Sequence, residues 1–281
     1  MDNPNYRDHH KQLATDIPDM IKRQLLFLPI ILGKNNKNMT IAIIPSRFGS
    51  KRFYGKPLAL ISGKPLIQRA YEQSAAAETI EKVIVATDDQ RILEAVEGFG
   101  GEAVMTASHH RSGTDRVAEA ANRLNLDPED IVINVQGDQP VFSPLCLDHL
   151  TAPFEQDPET LMSTLAVAMD RDEKIKDPGN VKVVFDKNGY ALYFSRSPIP
   201  FPRDKGQKAR CYKHLGFYAY KKRFLDTITA LPDSSLENTE KLEQLRVLEF
   251  GYRIKVVVTD HDSPSVDRAE DIPPIEEQLN R

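Results

Sequence analysis

The stretch Thr40-Ile41-Ala42-Ile43-Ile44-Pro45-Ser46-Arg47-Phe48-Gly49-Ser50-Lys51-Arg52-Phe53-Tyr54-Gly55-Lys56-Pro57-Leu58 decides the fold. Thr40 to Pro45 reads as a buried strand. The loop after it carries four cations, Arg47, Lys51, Arg52 and Lys56, around two glycines. Working outward, helical spacing over Pro65 to Ala77 puts Ile67, Ala70, Tyr71 and Ser74 on one face. Lys82 to Thr87 reads as a second strand, and Asp89 to Phe99 as a helix closed by Gly100-Gly101. Ala103 to Thr106, Asp115 to Leu124 and Asp130 to Val135 continue as strand, helix and strand. Such alternation predicts an α/β fold, Rossmann-like, with a mostly parallel sheet and helices on both faces. The second half changes rhythm. Strands are expected at Met162 to Ala168, Val181 to Phe185, Ala191 to Phe194, Lys213 to Tyr220 and Ile254 to Val258. One long helix is expected at Asn238 to Phe250, with Leu242, Leu245 and Leu248 on one side and a stop at Gly251. The layout expected is one domain over 39–281 with a smaller β-rich lobe inserted at about 160–225.

The 281 residues are 40% hydrophobic and 28% charged, enough apolar content for a sizeable core. A net charge of −4 speaks against nucleic-acid or membrane-surface binding, which draws on a basic surface. Two cysteines, Cys146 and Cys211, make no disulfide or metal framework. The apolar run Leu25 to Leu32 is too short to span a bilayer. Although Lys22 and Arg23 precede it, no small-residue cleavage motif follows. Residues 1–38 therefore read as an appended, flexible extension, and the whole as a cytoplasmic enzyme with no membrane span. His9, His10, His109, His110, His149 and His261 are expected at the surface.

Three segments carry chemistry. Glycines let backbone approach an anion, and cations a few residues apart neutralise polyphosphate, so the first loop is either a phosphate cradle or a solvated basic loop. Its spacing matches neither the dinucleotide-binding nor the P-loop pattern. Asn134-Val135-Gln136-Gly137-Asp138-Gln139-Pro140 puts an Asp at a strand's carboxyl end, suited to Mg²⁺ or to a plain turn. In Val266-Asp267-Arg268-Ala269-Glu270-Asp271, Asp267 is either a second metal carboxylate or a helix N-cap.

Together with Ser112-Gly113-Thr114-Asp115-Arg116, Lys213-His214-Leu215-Gly216-Phe217-Tyr218 and Leu242-Glu243-Gln244-Leu245-Arg246, these segments resemble the 3-deoxy-D-manno-octulosonate (Kdo) cytidylyltransferases from about Thr40 to Asp271. The pattern departs at Gln139, where an acid is usual, at Tyr54, where Pro is usual, at Lys51, and at Arg268-Ala269 after Asp267. Relatives with Gln after Gly-Asp include enzymes suited to an 8-amino analogue of Kdo.

The resemblance implies a nucleotidyltransferase of lipopolysaccharide biosynthesis: CTP and Kdo, or 8-amino-Kdo, give the CMP-sugar and pyrophosphate. A transferase for another acid sugar such as sialic acid, or an inactive nucleotide-binding relative, is the alternative. Mg²⁺ would be held by Asp138 and Asp267, with Arg47 and Lys56 on the β,γ-phosphates. Pro45, Ser46, Ser112, Gly113 and Arg116 would complete the nucleotide site. Gln136, Arg196, His214, Tyr218, Glu243 and Gln244 would hold the sugar, Arg196 forking onto its carboxylate. A homodimer through the second lobe is implied too. Removing residues 1–38 is expected to leave turnover largely intact, as an activity assay on the shortened chain would check.

Overall fold

The computed structural model describes residues 38–49, 52–169, 171–204 and 209–279. Lys51, and residues 1–37 of the expected extension with their apolar run and His9-His10, lie outside the described residues. The elements in chain order are β1 (Thr40–Ser46), the short β2 (Leu60–Ile61) and β3 (Lys64–Pro65), α1 (Leu66–Ala75), β4 (Lys82–Thr87), α2 (Gln90–Gly98), β5 (Ala103–Met105), α3 (Gly113–Arg123) and β6 (Ile131–Asn134). Next come α4 (Leu145–Gln156), β7 (Met162–Met169), α5 (Asp172–Lys176), β8 (Lys182–Phe185), β9 (Ala191–Ser195) and β10 (Cys211–Lys221). The chain continues through α6 (Lys222–Thr229), α7 (Ser235–Glu240), α8 (Gln244–Glu249), β11 (Lys255–Thr259) and α9 (Ile272–Leu279).

The main sheet runs β11-β7-β10-β6-β1-β4-β5, with β8 against β10 and β9 against β8. Strands β6, β1, β4 and β5 are parallel, as are β11 and β7. β10 lies antiparallel between β6 and β7. The fold is thus a mixed, mostly parallel sheet with helices on both faces. β7 and β10, from the segment at 160–225, are central strands, and only β8 and β9 stand off the main path.

Period-two alternation in β1 feeds two cores. Ile41 and Ile43 pack with α3 and α6, through Val117, Ala121, Phe224 and Leu225. Ala42 and Ile44 pack with α1, α2 and α4, through Ile67, Ala70, Ile92, Val96 and Leu147. Sequence reading missed α4 and α6. Residues Cys146, Leu147, Leu150, Thr151 and Phe154 bury α4 on most sides, and a helix buried this way shows no clear apolar stripe.

The single helix expected over Asn238 to Phe250 is corrected. It is two helices, α7 and α8, because Lys241 adopts the left-handed conformation, φ 55° and ψ 48°, and ends the first. Leu242 and Leu245 are still buried on a common seam. The break matters for function, since Glu243 and Gln244 follow it directly.

Ile43 has no exposed surface and lies mid-strand. Ile43→Ala should cost about 2–5 kcal/mol in a denaturant titration. Lys187→Ala, in an exposed turn, should stay within about 0.5 kcal/mol of wild type.

Candidate functional site

From β1 the chain steps outward through β4 and β5, then returns to the other side of β1 at β6. Such a reversal opens a crevice beyond the carboxyl ends of β1 and β6, where open α/β sheets bind ligands. The basic loop follows β1 and the Gln136-Gly137-Asp138 turn follows β6. They come so close that a Cβ on Gly137 would stand 2.8 Å from the Pro45 carbonyl oxygen, so only glycine fits. Gly55 turns the basic loop at φ 71°, and its N–H donates to the Phe48 carbonyl at 3.0 Å. The Phe48 ring lies under the Arg91 guanidinium at 3.4 Å and meets the Tyr54 ring edge-on at 5.0 Å. Tyr54, unusual in the pattern above, therefore fastens the loop.

Two adjoining cavities open there. The first, about 290 Å³, is lined by Pro45, Ser46, Arg47, Lys56, Ser112, Gly113, Arg116 and Gln136, among others. Ser112 caps α3, its Oγ accepting from Asp115 N–H at 3.1 Å, so the positive end of that helix faces the cavity. Arg47 makes no hydrogen bond or ion pair to a described residue and is free to meet an anion. Arg116 is different: only 4% exposed, its guanidinium donates to Asp88 at 2.9 Å, to Thr106 and to the Ala107 carbonyl. It shapes the wall from behind. His110, expected at the surface, is a correction: it lines this cavity and pairs with Glu119. Burial pushes the Glu119 carboxyl up, but the Ala107 N–H, His110 and Arg123 outweigh it and hold it down to about 2. His149 and His261 are half-buried and stack on each other, whereas His109 is exposed.

The second cavity, about 500 Å³, shares Arg52, Gln136, Asp138 and Glu243 with the first and is lined also by Arg196, His214, Tyr218, Gln244 and Asp267. Asp138 and Asp267 converge on it. The Lys56 ammonium stands 3.0 Å from Asp138 Oδ2 and 3.0 Å from the Val266 carbonyl, while Val266 N–H donates to the Asp138 carbonyl at 2.8 Å. The Asp267 carboxylate caps no helix but takes a two-pronged pair from Arg52, at 3.0 and 2.9 Å.

Two of the residues expected to meet the sugar, His214 and Tyr218, flank a bulge in β10. His214 pairs with Ala166 and Tyr218 with Thr164, so four steps on β10 match two on β7. Gly216, at φ 77°, makes the bulge possible. The bulge carbonyls are used at once: Gln139 Nε2 donates to Leu215 O at 2.8 Å and Gln136 Nε2 to Gly216 O at 3.0 Å. His214 is buried between Phe194 and Tyr218, and burial pushes its imidazole down to about 3. The Thr164 hydroxyl donates to the Phe217 carbonyl at 2.7 Å, so at 2.9 Å it must accept from His214 Nε2–H. That fixes the neutral tautomer, with Nδ1 left as an acceptor for a hydroxyl.

Burial also raises the Tyr218 phenol well above its usual value. Glu243 is exposed and lines both cavities. The protein packed around its carboxyl raises its pKa, Glu237 and Asp115 add to the rise, and the Thr114 hydroxyl and Arg246 oppose it. Arg196 lines the cavity, yet its guanidinium donates to the Glu240, Pro178 and Lys241 carbonyls at 2.7, 3.0 and 3.4 Å. Much of its fork is thus taken up by backbone.

Among the described residues, the buried side-chain polar atoms without a partner are Ser46 Oγ, Asn134 Oδ1, Gln139 Oε1 and Gln244 Nε2. All four belong to residues that line these cavities. An orphaned buried polar atom costs about 1–3 kcal/mol, and its confinement to the cleft marks where a polar ligand completes the structure. No group of three or more potential metal ligands occurs among the described residues. Two convergent carboxylates beside a basic cradle still fit Mg²⁺, which takes one or two carboxylates and fills its other positions with substrate oxygens and water.

Comparison with known proteins agrees with this geometry. The family model described as "Cytidylyltransferase" matches residues 41–260. A 3-deoxy-manno-octulosonate cytidylyltransferase of Desulfatibacillum aliphaticivorans is 58% identical over 239 residues, 85% of this chain and 98% of that protein. An 8-amino-3,8-dideoxy-manno-octulosonate cytidylyltransferase of Shewanella halifaxensis is 52% identical over 236 residues, 84% of this chain and 96% of that protein. Among solved structures, CMP:2-keto-3-deoxy-manno-octonic acid synthetase complexed with CTP superposes with a TM-score of 0.81 at 40% identity, covering 86% of this chain and 99% of that one.

The buried His214 has a stability signature. Its pKa is lower folded than unfolded, so between about pH 6.5 and 3 only the unfolded chain takes up the proton, and stability falls as pH falls. Below pH 6, wild type should lose about 1.4 kcal/mol per pH unit more than His214→Asn in urea titrations. Equal slopes would contradict the neutral, buried assignment.

Proposed function

The chain belongs to the cytidylyltransferase family, and we propose that it transfers CMP from CTP to the anomeric hydroxyl of Kdo or its 8-amino analogue, releasing pyrophosphate. The observation that carries this reading is the pair of adjoining cavities sharing Asp138, one basic and suited to a triphosphate, the other mixing Asn, Gln, His and Tyr side chains with charged groups of both signs, suited to an acidic polyol.

Phosphoryl transfer of this kind needs positioning and charge neutralisation more than a protein nucleophile. Arg47 and Lys56, with the N-terminus of α3 nearby, hold the triphosphate and offset the charge that develops on pyrophosphate. Ser112 and Gly113 present backbone to the nucleotide, and Arg116 keeps that wall in place through Asp88. On the sugar side His214 Nδ1 accepts from a hydroxyl, and Gln136, Tyr218, Glu243 and Gln244 supply the mixed partners that a polyol requires. The remaining guanidinium donors of Arg196 reach the sugar carboxylate. Asp138 and Asp267 would hold Mg²⁺, which would supply charge neutralisation to the phosphates and lower the pKa of the attacking hydroxyl. The enzyme works in the cytoplasm as a homodimer, its contact built on 160–225, where among the described strands β9 pairs with β8 alone.

Protein, Mg²⁺, CTP and either acid sugar should release pyrophosphate in a coupled assay, and silence with both sugars would refute the assignment. Asp138→Ala should lose at least about a hundredfold in turnover while keeping the wild-type circular dichroism spectrum.

A further inference from the structure

Arg52 and Lys56 each sit on a carboxylate assigned above to the metal, yet the two pairs are built differently. Lys56 is tucked in, with its side chain 15% exposed, and it also holds the Val266 carbonyl at 3.0 Å. It keeps an anchor whatever happens at Asp138. Arg52 is 63% exposed and Asp267 41%, and Arg52 makes no other hydrogen bond to a described residue. Its attachment is therefore a single solvent-accessible fork, of the kind that contributes little and opens readily. Arg52 also lines both cavities, so letting go of Asp267 leaves it beside the triphosphate site.

We infer that Arg52 is a positioning residue that latches Asp267: in the nucleotide-free protein its guanidinium occupies that carboxylate, and a divalent cation must displace it, which turns Arg52 toward the nucleotide. The inference rests on the metal reading proposed above. Charge argues for the exchange. With Lys56 on Asp138 and Arg52 on Asp267, the two carboxylates are already neutralised, so a divalent cation arriving alone meets four charges that sum to zero. A cation arriving with the triphosphate supplies an anion for the displaced guanidinium to face. Arg52 would thereby couple the two binding events, disfavouring metal without nucleotide.

The test uses Mn²⁺ as the probe, read by water-proton relaxation on the full chain without nucleotide. Arg52→Met should bind Mn²⁺ roughly two- to fivefold more tightly than wild type. Arg47→Met removes the same charge from the shared cleft without touching Asp267, and should tighten Mn²⁺ less. With a non-hydrolysable CTP analogue present, the advantage of Arg52→Met should vanish. Equal Mn²⁺ affinity in wild type and Arg52→Met, or equal tightening by Arg47→Met, would overturn the latch. Asp138→Asn and Asp267→Asn separate this failure from that of the metal reading: if neither weakens Mn²⁺ binding, the metal site itself is misplaced. Matching thermal melts confirm that each variant is folded.

Discussion

One ammonium group ties together the parts on which the site depends. Lys56, in the loop after β1, reaches the carboxylate of Asp138 after β6 and the main-chain carbonyl of Val266 beyond β11. Those partners lie 82 and 210 residues away in sequence. Because Val266 N–H returns to the Asp138 carbonyl, the chain at 266 is held from two directions and Asp267 is brought to the cleft. Mg²⁺ takes one or two carboxylates, and this arrangement offers both on one side of the cleft. The glycine at 137 is the matching steric condition: it lets the two strand ends close to a distance that any side chain would block.

Much of this was legible in the sequence because it is local. Short apolar runs followed by Gly and charged residues mark the ends of parallel strands, and the sheet rule then says where ligands bind. Thus Arg47, Lys56 and Asp138 read as lying just after strands, whereas Ser112-Gly113 enters the nucleotide site only through the family resemblance. The helix-cap alternative for Asp267 could be settled only by tertiary structure, because the competing partner, Arg52, is 215 residues away.

What was not legible depends on tertiary hydrogen bonds. The β10 segment reads as one regular strand, but its bulge exists because Leu215 and Gly216 carbonyls serve Gln139 and Gln136 across the cleft. His110 shows no sequence signal that separates it from His109 beside it. Only the return of Glu119 one helix face later turns it into the cavity. Arg196 looked like an open fork after a strand, and three backbone carbonyls converge on it from segments at 178 and 240–241. The break at Lys241 likewise follows from a left-handed backbone that a helical pattern of leucines cannot reveal.

Gln139 shows how a departure from a family pattern is read physically. Its amide orientation is set by the Leu215 carbonyl, which needs an N–H donor, and a carboxylate at this place could not provide one. The amide oxygen is consequently turned the other way, buried and without a partner, in a residue that lines the second cavity. Ser46, Asn134 and Gln244 present the same condition around the cleft. Leaving these atoms unpaired is a local cost that the two packed cores of the sheet can sustain. A ligand with a complementary hydroxyl or amine recovers it, whereas an apolar ligand of equal size does not. Unpaired polar atoms held in place by the fold would favour a ligand by its pattern of donors and acceptors more than by its volume.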